Sequence, residues 1–465
     1  MAMTLDSKDQ QLLKRIYRKL KDEPLEEGTE RYDQLYQPIY DGPSKEDPVA
    51  FLKRHIEFSD YESLQLFSGF RGSGKTTELF RLRKRLEQAG YVVLYVDAID
   101  YINPSEEISI SDLLIVLAGA FSDALEEWAK TLQEAVQLTE ESYWTRLRNY
   151  LTNTTVSLTE VGFKLEVDSP AKEILGGLKA GLDLKLALKE SSSFRKNLQK
   201  FMENRIGELR KTVHQFFEDG VKAIKRVWGD EKQVVFIFDS LEQIRGSLSD
   251  EEAVIRSVER VFASHMSLLR LPYVHVVYTV PPWLQFVMQG NDIYLLPNIK
   301  LWNNDPQRSP HDAGWKALRE LVLKRIGTEG CQRLFGCETV EPFTSSDELI
   351  AFCGGHFRDL LLLLRETVLR AKSLPVSQGV INSAITSVRN NFLPIATEDA
   401  VWLDKIGETR TPMLPDTKTD SVSRLTRFLD THLVLYLTNG KDWYDIHPLI
   451  RDEVKQIVRQ QQSTS

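Results

Sequence analysis

The sequence predicts an α/β fold: a parallel sheet interrupted by a long helical segment, then an all-helical block, then a small helix–hairpin–helix domain. Three observations carry this. "LQLFSG" (64–69) and "YVVLYVDA" (91–98) read as strands on either side of an amphipathic helix, "KTTELFRLRKRLEQAG" (75–90), and such alternation implies parallel strands joined by helical crossovers. Two further runs, "QVVFIFDS" (233–240) and "YVHVVYTV" (273–280), are apolar on both faces, as strands buried inside a parallel sheet must be. Finally, residues 312–395 carry no strand signal, whereas "HLVLYL" (432–437) and "WYDI" (443–446) bracket Asn439-Gly440, a hairpin turn signal.

The elements follow in order. Residues 7–21 form one amphipathic helix with Leu12, Leu13, Ile16, Tyr17 and Leu20 on a shared face, opened by a capping-box pattern of Ser7 and Gln10. "QPIYDGPSKEDP" (37–48) is a linker. After the strand at 91–98 come a helix over about 111–136 and a segment at about 155–190. In that segment "VSLTEVGFKLEV" and "GGLKAGLDLKLALK" alternate apolar and polar residues like a hairpin; the same alternation suits a partly ordered insertion or a partner-binding surface. One helix over about 193–228 follows. "NIKLW" (298–302) reads as the last strand of the sheet. A helix at 419–430, the hairpin and a final helix close the chain.

The chain has 465 residues, 42% of them hydrophobic, with a net charge of −8, which suits a globular protein of two to four domains. A protein that coats nucleic acid through phosphate contacts carries a basic surplus; this one does not, so nucleic acid is not the favoured partner. The longest apolar run, "LLIVLAGAF" (113–121), is too short to cross a bilayer and lies between Asp112 and Asp123; a buried helix is expected and no membrane span. Cys331, Cys337 and Cys353 suit neither a disulfide framework nor a zinc site, and point to a reducing, cytoplasmic setting.

One stretch carries chemistry directly. "GFRGSGKT", Gly69 to Thr76, fits G-x-x-x-x-G-K-[ST] and stands between a predicted strand and a predicted helix, the context in which that pattern cradles phosphate. Gly69, Gly72 and Gly74 let backbone N–H groups of the loop, from Arg71 and Ser73 as well, turn inward as a nest. The helix N-terminus adds positive potential, reaching Thr77. Lys75 reaches the β- and γ-phosphates and Thr76 offers its hydroxyl to Mg²⁺. ATP or ADP with Mg²⁺ is the expected ligand.

Other positions fit around it. Asp239 ends a buried strand, where it is expected to hold the metal with Thr76; a helix N-cap is the plainer role. Glu242, three residues on, is a candidate to polarise the attacking water, or a surface glutamate. Thr279 ends the next strand and is a candidate γ-phosphate sensor, or a structural residue. In "CGGHFRDLLLLL" (353–364), Arg358 lies in the first turn of an apolar helix, where a cation opposes the helix dipole. It therefore calls for an anion, either a nucleotide phosphate or a surface carboxylate.

The order of these pieces resembles a known group. A P-loop, an "hhhhDxxE" strand, a polar strand end, a helical lid opening with "GG..R" and a winged helix occur in that order in AAA+-related STAND ATPases, close to the origin-initiator type of AAA+ module, and the resemblance covers about residues 45–456. It implies a P-loop NTPase parallel sheet with an AAA+-type helical lid and a C-terminal winged-helix domain. The implied domains are an N-terminal arm and linker (1–48), a nucleotide-binding domain (49–303, with an insertion at about 130–228), the lid (304–396) and the winged helix (397–465). In "HPLIRDEV" (447–454) it makes His447 a sensor that contacts the β-phosphate of ADP; a hydrogen-bonded histidine inside a small domain is the alternative. The sequence departs from STAND lids at Gly355-His356-Phe357-Arg358, which lacks the proline of their Gly-Leu-Pro and places an arginine there.

The resemblance implies an ATP-binding, slowly hydrolysing switch that forms homo-oligomers and controls a separate effector or sensor protein, in signalling or defence against invaders such as phage. The alternatives are a DNA-associated AAA+ ATPase, an initiator or transposition regulator, and a non-hydrolysing nucleotide-bound scaffold. Arg270 is the candidate for an arginine acting on a neighbouring copy.

Overall fold

The computed structural model describes residues 5–39, 47–131, 142–147, 149–150, 181–246, 250–288, 293–336, 345–412, 419–438 and 441–464. In chain order the main elements are α1 (Ser7–Lys19), α2 (Glu30–Leu35), α3 (Pro48–Glu57), β1 (Ser63–Gly69), α4 (Lys75–Gln88), β2 (Val92–Asp97) and α5 (Ile110–Lys130). Then come α6 (Gly181–Glu190), α7 (Ser192–Met202), α8 (Ile206–Trp228), β3 (Val234–Asp239), α9 (Glu251–Glu259), β4 (Val274–Val280) and β5 (Ile293–Leu296). The remainder is α10 (Asp312–Ile326), α11 (Thr328–Phe335), α12 (Ser345–Cys353), α13 (Phe357–Arg370), α14 (Gln378–Arg389), α15 (Thr397–Thr409), α16 (Thr419–Asp430), β6 (Val434–Thr438), β7 (Asp442–Ile446) and α17 (Arg451–Thr464). Among the described residues no helix is long and apolar enough to cross a membrane. The chain divides into two compact units, one of Met1–Phe51, Gly69–Arg81 and Leu295–Ser465, the other of Leu52–Ser68 and Leu82–Tyr294.

The second unit is built on the sheet. Its strand order is β2-β3-β4-β1-β5, with β2–β3, β3–β4 and β1–β4 all parallel. Every residue of β3 and β4 is buried, which explains why both runs are largely apolar on both faces rather than alternating. Helix α5 covers the sheet. Ser109 and Asp112 close a capping box at its start, and Phe121 packs on Phe217 and Phe236 at 4.5 and 5.7 Å between centroids. Gly119 lies flat under the Trp144 ring, where any Cβ would collide, and Asp123 accepts the Trp144 indole N–H at 3.0 Å. The "LLIVLAGAF" run is thus a buried helix, as its length requires.

The other unit is helical. Leu12, Leu13, Ile16 and Leu20 of the α1 region join Leu318, Leu321 and Val322 of α10 and Leu360, Leu361 and Leu364 of α13 in one core. Helices α15 and α16, the antiparallel β6–β7 hairpin (Val434 opposite Ile446) and α17 complete it.

Several expected elements differ. Asp6, not Ser7, caps α1 by accepting the Asp9 N–H at 2.7 Å. The expected helix over 193–228 is broken between Met202 and Ile206. Residues 298–302 are not a strand: Asn298 N donates to Tyr436 O, Ile299 N to Gly355 O, and His311 N to Leu301 O, so their backbone groups serve other segments, and the sheet ends with β5 instead. Residues 181–190, whose alternation suits a hairpin, an insertion or a partner-binding surface, are helical. Leu184 and Leu188 are buried while Leu186 is 45% exposed, so the same leucines satisfy an i, i+4 face. "VSLTEVGFKLEV", residues 176–180, Asn439-Gly440 and Cys337 lie outside the described residues.

A buried histidine gives the sheet a testable pH dependence. His275 on β4 is fully buried, with Ser63 Oγ 2.8 Å from Nδ1 and Gln233 Oε1 3.0 Å from Nε2. The amide oxygen can only accept, so Nε2 carries a proton. Burial pushes its pKa down to about 4. The unfolded chain therefore binds more protons between about 6.5 and 4, and stability falls as pH falls through that window. We expect the urea midpoint to drop between pH 7 and pH 5 in the parent, and to drop less in His275→Gln. Equal drops would remove His275 from the acid response.

Candidate nucleotide-binding site

The loop after β1 is shaped by glycines where side chains do not fit. At Gly69 a Cβ would stand 2.9 Å from both Ser73 Oγ and Leu296 Cβ. Gly72 and Gly74 take φ of +86° and +95°, a left-handed conformation that glycine adopts at no steric cost. Ser73 N donates to Phe70 O at 3.1 Å, closing the turn. Lys75 is 5% exposed, and its Nζ donates to the carbonyls of Gly69 and Phe70 at 2.8 and 3.1 Å. The ammonium is thereby held over the loop that its own helix follows. Thr76 lies in the first turn of α4, and the Thr77 hydroxyl accepts the Leu25 N–H at 3.0 Å.

The same unit surrounds this loop with the N-terminal arm and α13. Tyr36 donates to Glu78 Oε1 at 3.2 Å, and the Arg81 guanidinium lies over the Tyr36 ring at 5.0 Å while pairing with Glu78 and Asp47. Leu25, Tyr36, Ser73, Gly74, Thr77 and Phe357 line a small cavity of about 40 Å³ beside the loop. Arg358 packs directly on Gly72, where a Cβ would stand 2.5 Å from the arginine Cβ. The anion that Arg358 requires is Asp22, which accepts from its Nε.

His356, which precedes α13, places Nε2 2.9 Å from Arg71 O and Nδ1 2.7 Å from Asp359 Oδ2. Both neighbours are acceptors, so each ring nitrogen faces a group to which an N–H there would donate. His447 is fully buried. Its Nδ1 accepts the Leu449 N–H at 3.2 Å, its Nε2 lies 3.1 Å from Asp359 Oδ2, and its ring stacks on Phe392 at 5.0 Å. It is therefore a neutral donor to Asp359, and burial pushes its pKa down. Burial alone would raise Asp359, but His356 and His447 hold its carboxyl well below the usual range.

The sheet unit holds the remaining candidates. Asp239 is fully buried at the end of β3. Its Oδ2 accepts the Tyr95 hydroxyl at 2.8 Å and its Oδ1 the Ser240 N–H at 2.7 Å. Burial and the Asp239 charge push the Tyr95 pKa up, which keeps that hydroxyl a donor. Ser240 takes φ of +72°, and the chain turns there into the short 3₁₀ segment Leu241–Gln243 that carries Glu242. Thr279 is buried, and its Oγ1 accepts the Leu241 N–H at 3.1 Å. Asp239, Glu242 and Thr279 are thus drawn together by one turn. Arg270 is exposed at the end of a 3₁₀ segment.

Sequence reasoning singled out Arg358 but passed over His356 and Asp359 on either side of it. Their i, i+3 spacing at a helix start was the available signal, since such pairs share a face. Asp22 and Tyr36 carried none, because their partners, Arg358 and Glu78, lie far along the chain.

No family model matches the chain, and no curated protein matches it. Among solved structures, the chain is similar to the ORC2 protein of Aeropyrum pernix in ADPNP–ADP complexes, at 12% identity over 97% of this chain and 98% of that one, with a TM-score of 0.30. It is also similar to Cdc6p from Pyrobaculum aerophilum (10% identity, 96% and 98% covered, TM-score 0.30) and to the ADP form of the A. pernix ORC2 protein (10%, 92% and 99%, TM-score 0.34).

The turn in the sheet unit yields a direct test. Thr279→Val keeps the shape of the side chain and leaves the buried Leu241 N–H without an acceptor, at a cost of about 1–3 kcal/mol. We expect a matching loss in urea unfolding. Unchanged stability would show that this bond does not hold the turn.

Proposed function

We propose that the chain is a P-loop ATPase acting as a nucleotide-controlled switch. The observation that supports this best is the loop itself: Gly69 to Thr76 joins a buried strand to a helix, with left-handed glycines and Lys75 folded across it. The residues suit a nucleotide with its magnesium ion, because glycine N–H groups and an ammonium offer donors to phosphate oxygens, and hydroxyl and carboxylate suit the ion. In this reading Lys75 binds the β- and γ-phosphates. Thr76 and Asp239 hold Mg²⁺, which would neutralise charge on the phosphates. Glu242 orients the attacking water and Thr279 positions the turn that bears it. Arg358 exchanges Asp22 for the γ-phosphate. His447 acts on the loop through Asp359 and His356. The lid spans 304–396 and a winged helix 397–465, with homo-oligomers and a separate partner protein as the output.

Lys75→Ala should weaken ATP–Mg²⁺ binding by about 2–5 kcal/mol, the cost of removing one member of a close charge pair, which is at least about 30-fold in Kd. Isothermal titration measures it, and undiminished affinity would sink the nucleotide reading.

Binding and hydrolysis are separable. Glu242→Gln should keep that affinity while turnover falls by about 10²-fold or more. If phosphate release continues at the parent rate, the water is oriented elsewhere.

A further inference from the structure

Beside the loop, His356 and Asp359 meet a third buried residue, His432, that the nucleotide reading does not use. His356, Asp359 and His432 are all buried, and one donor atom from each lies within 4.8 Å of the others. They converge from two places: His356 and Asp359 from the start of α13, His432 from the connection between α16 and β6. The His356 and His432 rings lie 4.1 Å apart. His356 Nδ1 stands 2.7 Å, and His432 Nδ1 3.9 Å, from the same carboxylate oxygen. His432 is only 8% exposed, its Nδ1 is beyond hydrogen-bond reach of Asp359, and its Nε2 is buried without a partner. Burying an imidazole without satisfying it is costly. Its backbone also takes φ of +62°, which a non-glycine residue adopts only under local constraint.

We propose that His356, Asp359 and His432 bind a single divalent transition-metal ion of the zinc class. Two imidazoles and a carboxylate are borderline-soft and hard donors that zinc accepts, with a fourth position left for water. Donor atoms about 2.0–2.1 Å from a tetrahedral ion are about 3.3 Å from one another, and the two nitrogen–oxygen separations fall on either side of that value. The ion takes the place of any proton on His356 Nδ1, which leaves to solvent. No other bond of His356 is disturbed, because Nε2–H still donates to Arg71 O. A backbone carbonyl on the remote ring nitrogen is the usual outer partner of a metal-bound histidine.

His447 is not a fourth ligand. Its Nδ1 accepts the Leu449 N–H, so the proton of the neutral ring sits on Nε2, the nitrogen that faces Asp359. It supports the carboxylate from outside. Cys353 is buried nearby in sequence, but burial pushes its thiol up to about 12 and its Sγ donates to Ile350 O at 3.0 Å; it stays a thiol. Bound metal would fasten the first turn of α13 to the base of the hairpin, with the loop carbonyl of Arg71 attached through His356.

The test uses the full untagged chain, stripped with a chelator and free of nucleotide, titrated with Zn²⁺ and separately with Co²⁺. We expect one equivalent to bind, the melting temperature to rise with zinc, and cobalt to give a tetrahedral ligand-field spectrum with no thiolate charge-transfer band. His432→Gln should weaken binding by about 100-fold or more, and His447→Gln by about 10-fold, the size of an outer-partner loss. Absence of stoichiometric binding in the parent, a thiolate band, or equal affinity in His432→Gln would each overturn the site. The cobalt spectrum of the parent decides the matter even if a variant does not fold.

Discussion

The helical unit depends on one buried carboxylate. Asp359 is 5% exposed among the leucines of α13, where an ionised group without partners would cost several kcal/mol. The position itself helps, because the first turn of a helix favours negative charge. Two imidazoles do the rest, one from the residue before the helix and one from the residue after β7. Truncating either histidine would leave the charge short of a partner, so the carboxylate keeps the start of α13 and the end of the hairpin in fixed register. The glycines before it follow from the same crowding. Gly355, at φ +87°, passes so close to the Ile299 carbonyl that no Cβ fits, and Gly354, at φ +61°, would place a Cβ 2.6 Å from Pro448 and Leu435.

The N-terminal arm completes the surroundings of the loop from the other side. Helix α1 contributes its apolar face to the core of α10 and α13, while Asp22, Leu25 and Tyr36 beyond it reach Arg358, Thr77 and Glu78. A partly exposed ion pair such as Arg358–Asp22 contributes little stability by itself. Exchanging one partner of such a pair would therefore cost the fold little. The arm therefore bears on the loop through contacts that are individually weak and the core of α1 that is not.

The parallel strands and the loop were legible because their signals are local: continuous apolar runs, and glycines with a lysine at fixed spacing. Asp239 and Thr279 were legible as strand-end polar residues, although the Tyr95 hydroxyl and the Leu241 N–H that engage them came from other positions. The hairpin and α16 were read close to their observed limits. Where the reading failed, two periods competed or the partner was remote. "LDLKLALK" satisfies a strand's alternation and a helix's i, i+4 face equally, and burial of Leu184 and Leu188 settled it. "NIKLW" has strand composition, but its backbone partners are Gly355, Tyr436 and His311. No spacing rule anticipates a carboxylate shared between residues 356 and 447.

The hydrogen bond from His356 to Arg71 O has a consequence for the loop's own donors. The peptide joining Arg71 to Gly72 is trans, since the cis bonds among the described residues are Leu374-Pro375 and Leu393-Pro394. In a planar trans peptide the N–H points opposite to the C=O. With the carbonyl held toward His356, the Gly72 N–H is directed away from it, and the freedom of Gly72 to take φ +86° is what permits that orientation. A phosphate nest works only if its N–H groups converge. The histidine thus holds one peptide of the loop from outside, and Arg358 packs on the same glycine. Coupling of this kind is reciprocal. A ligand that needs the Gly72 N–H strengthens the hold of His356 on Arg71, and any rearrangement at Asp359 or His447 that releases His356 frees the peptide to rotate. The path from the hairpin to the loop consists of three hydrogen bonds, each 2.7–3.1 Å long, through the buried side chains of His447, Asp359 and His356.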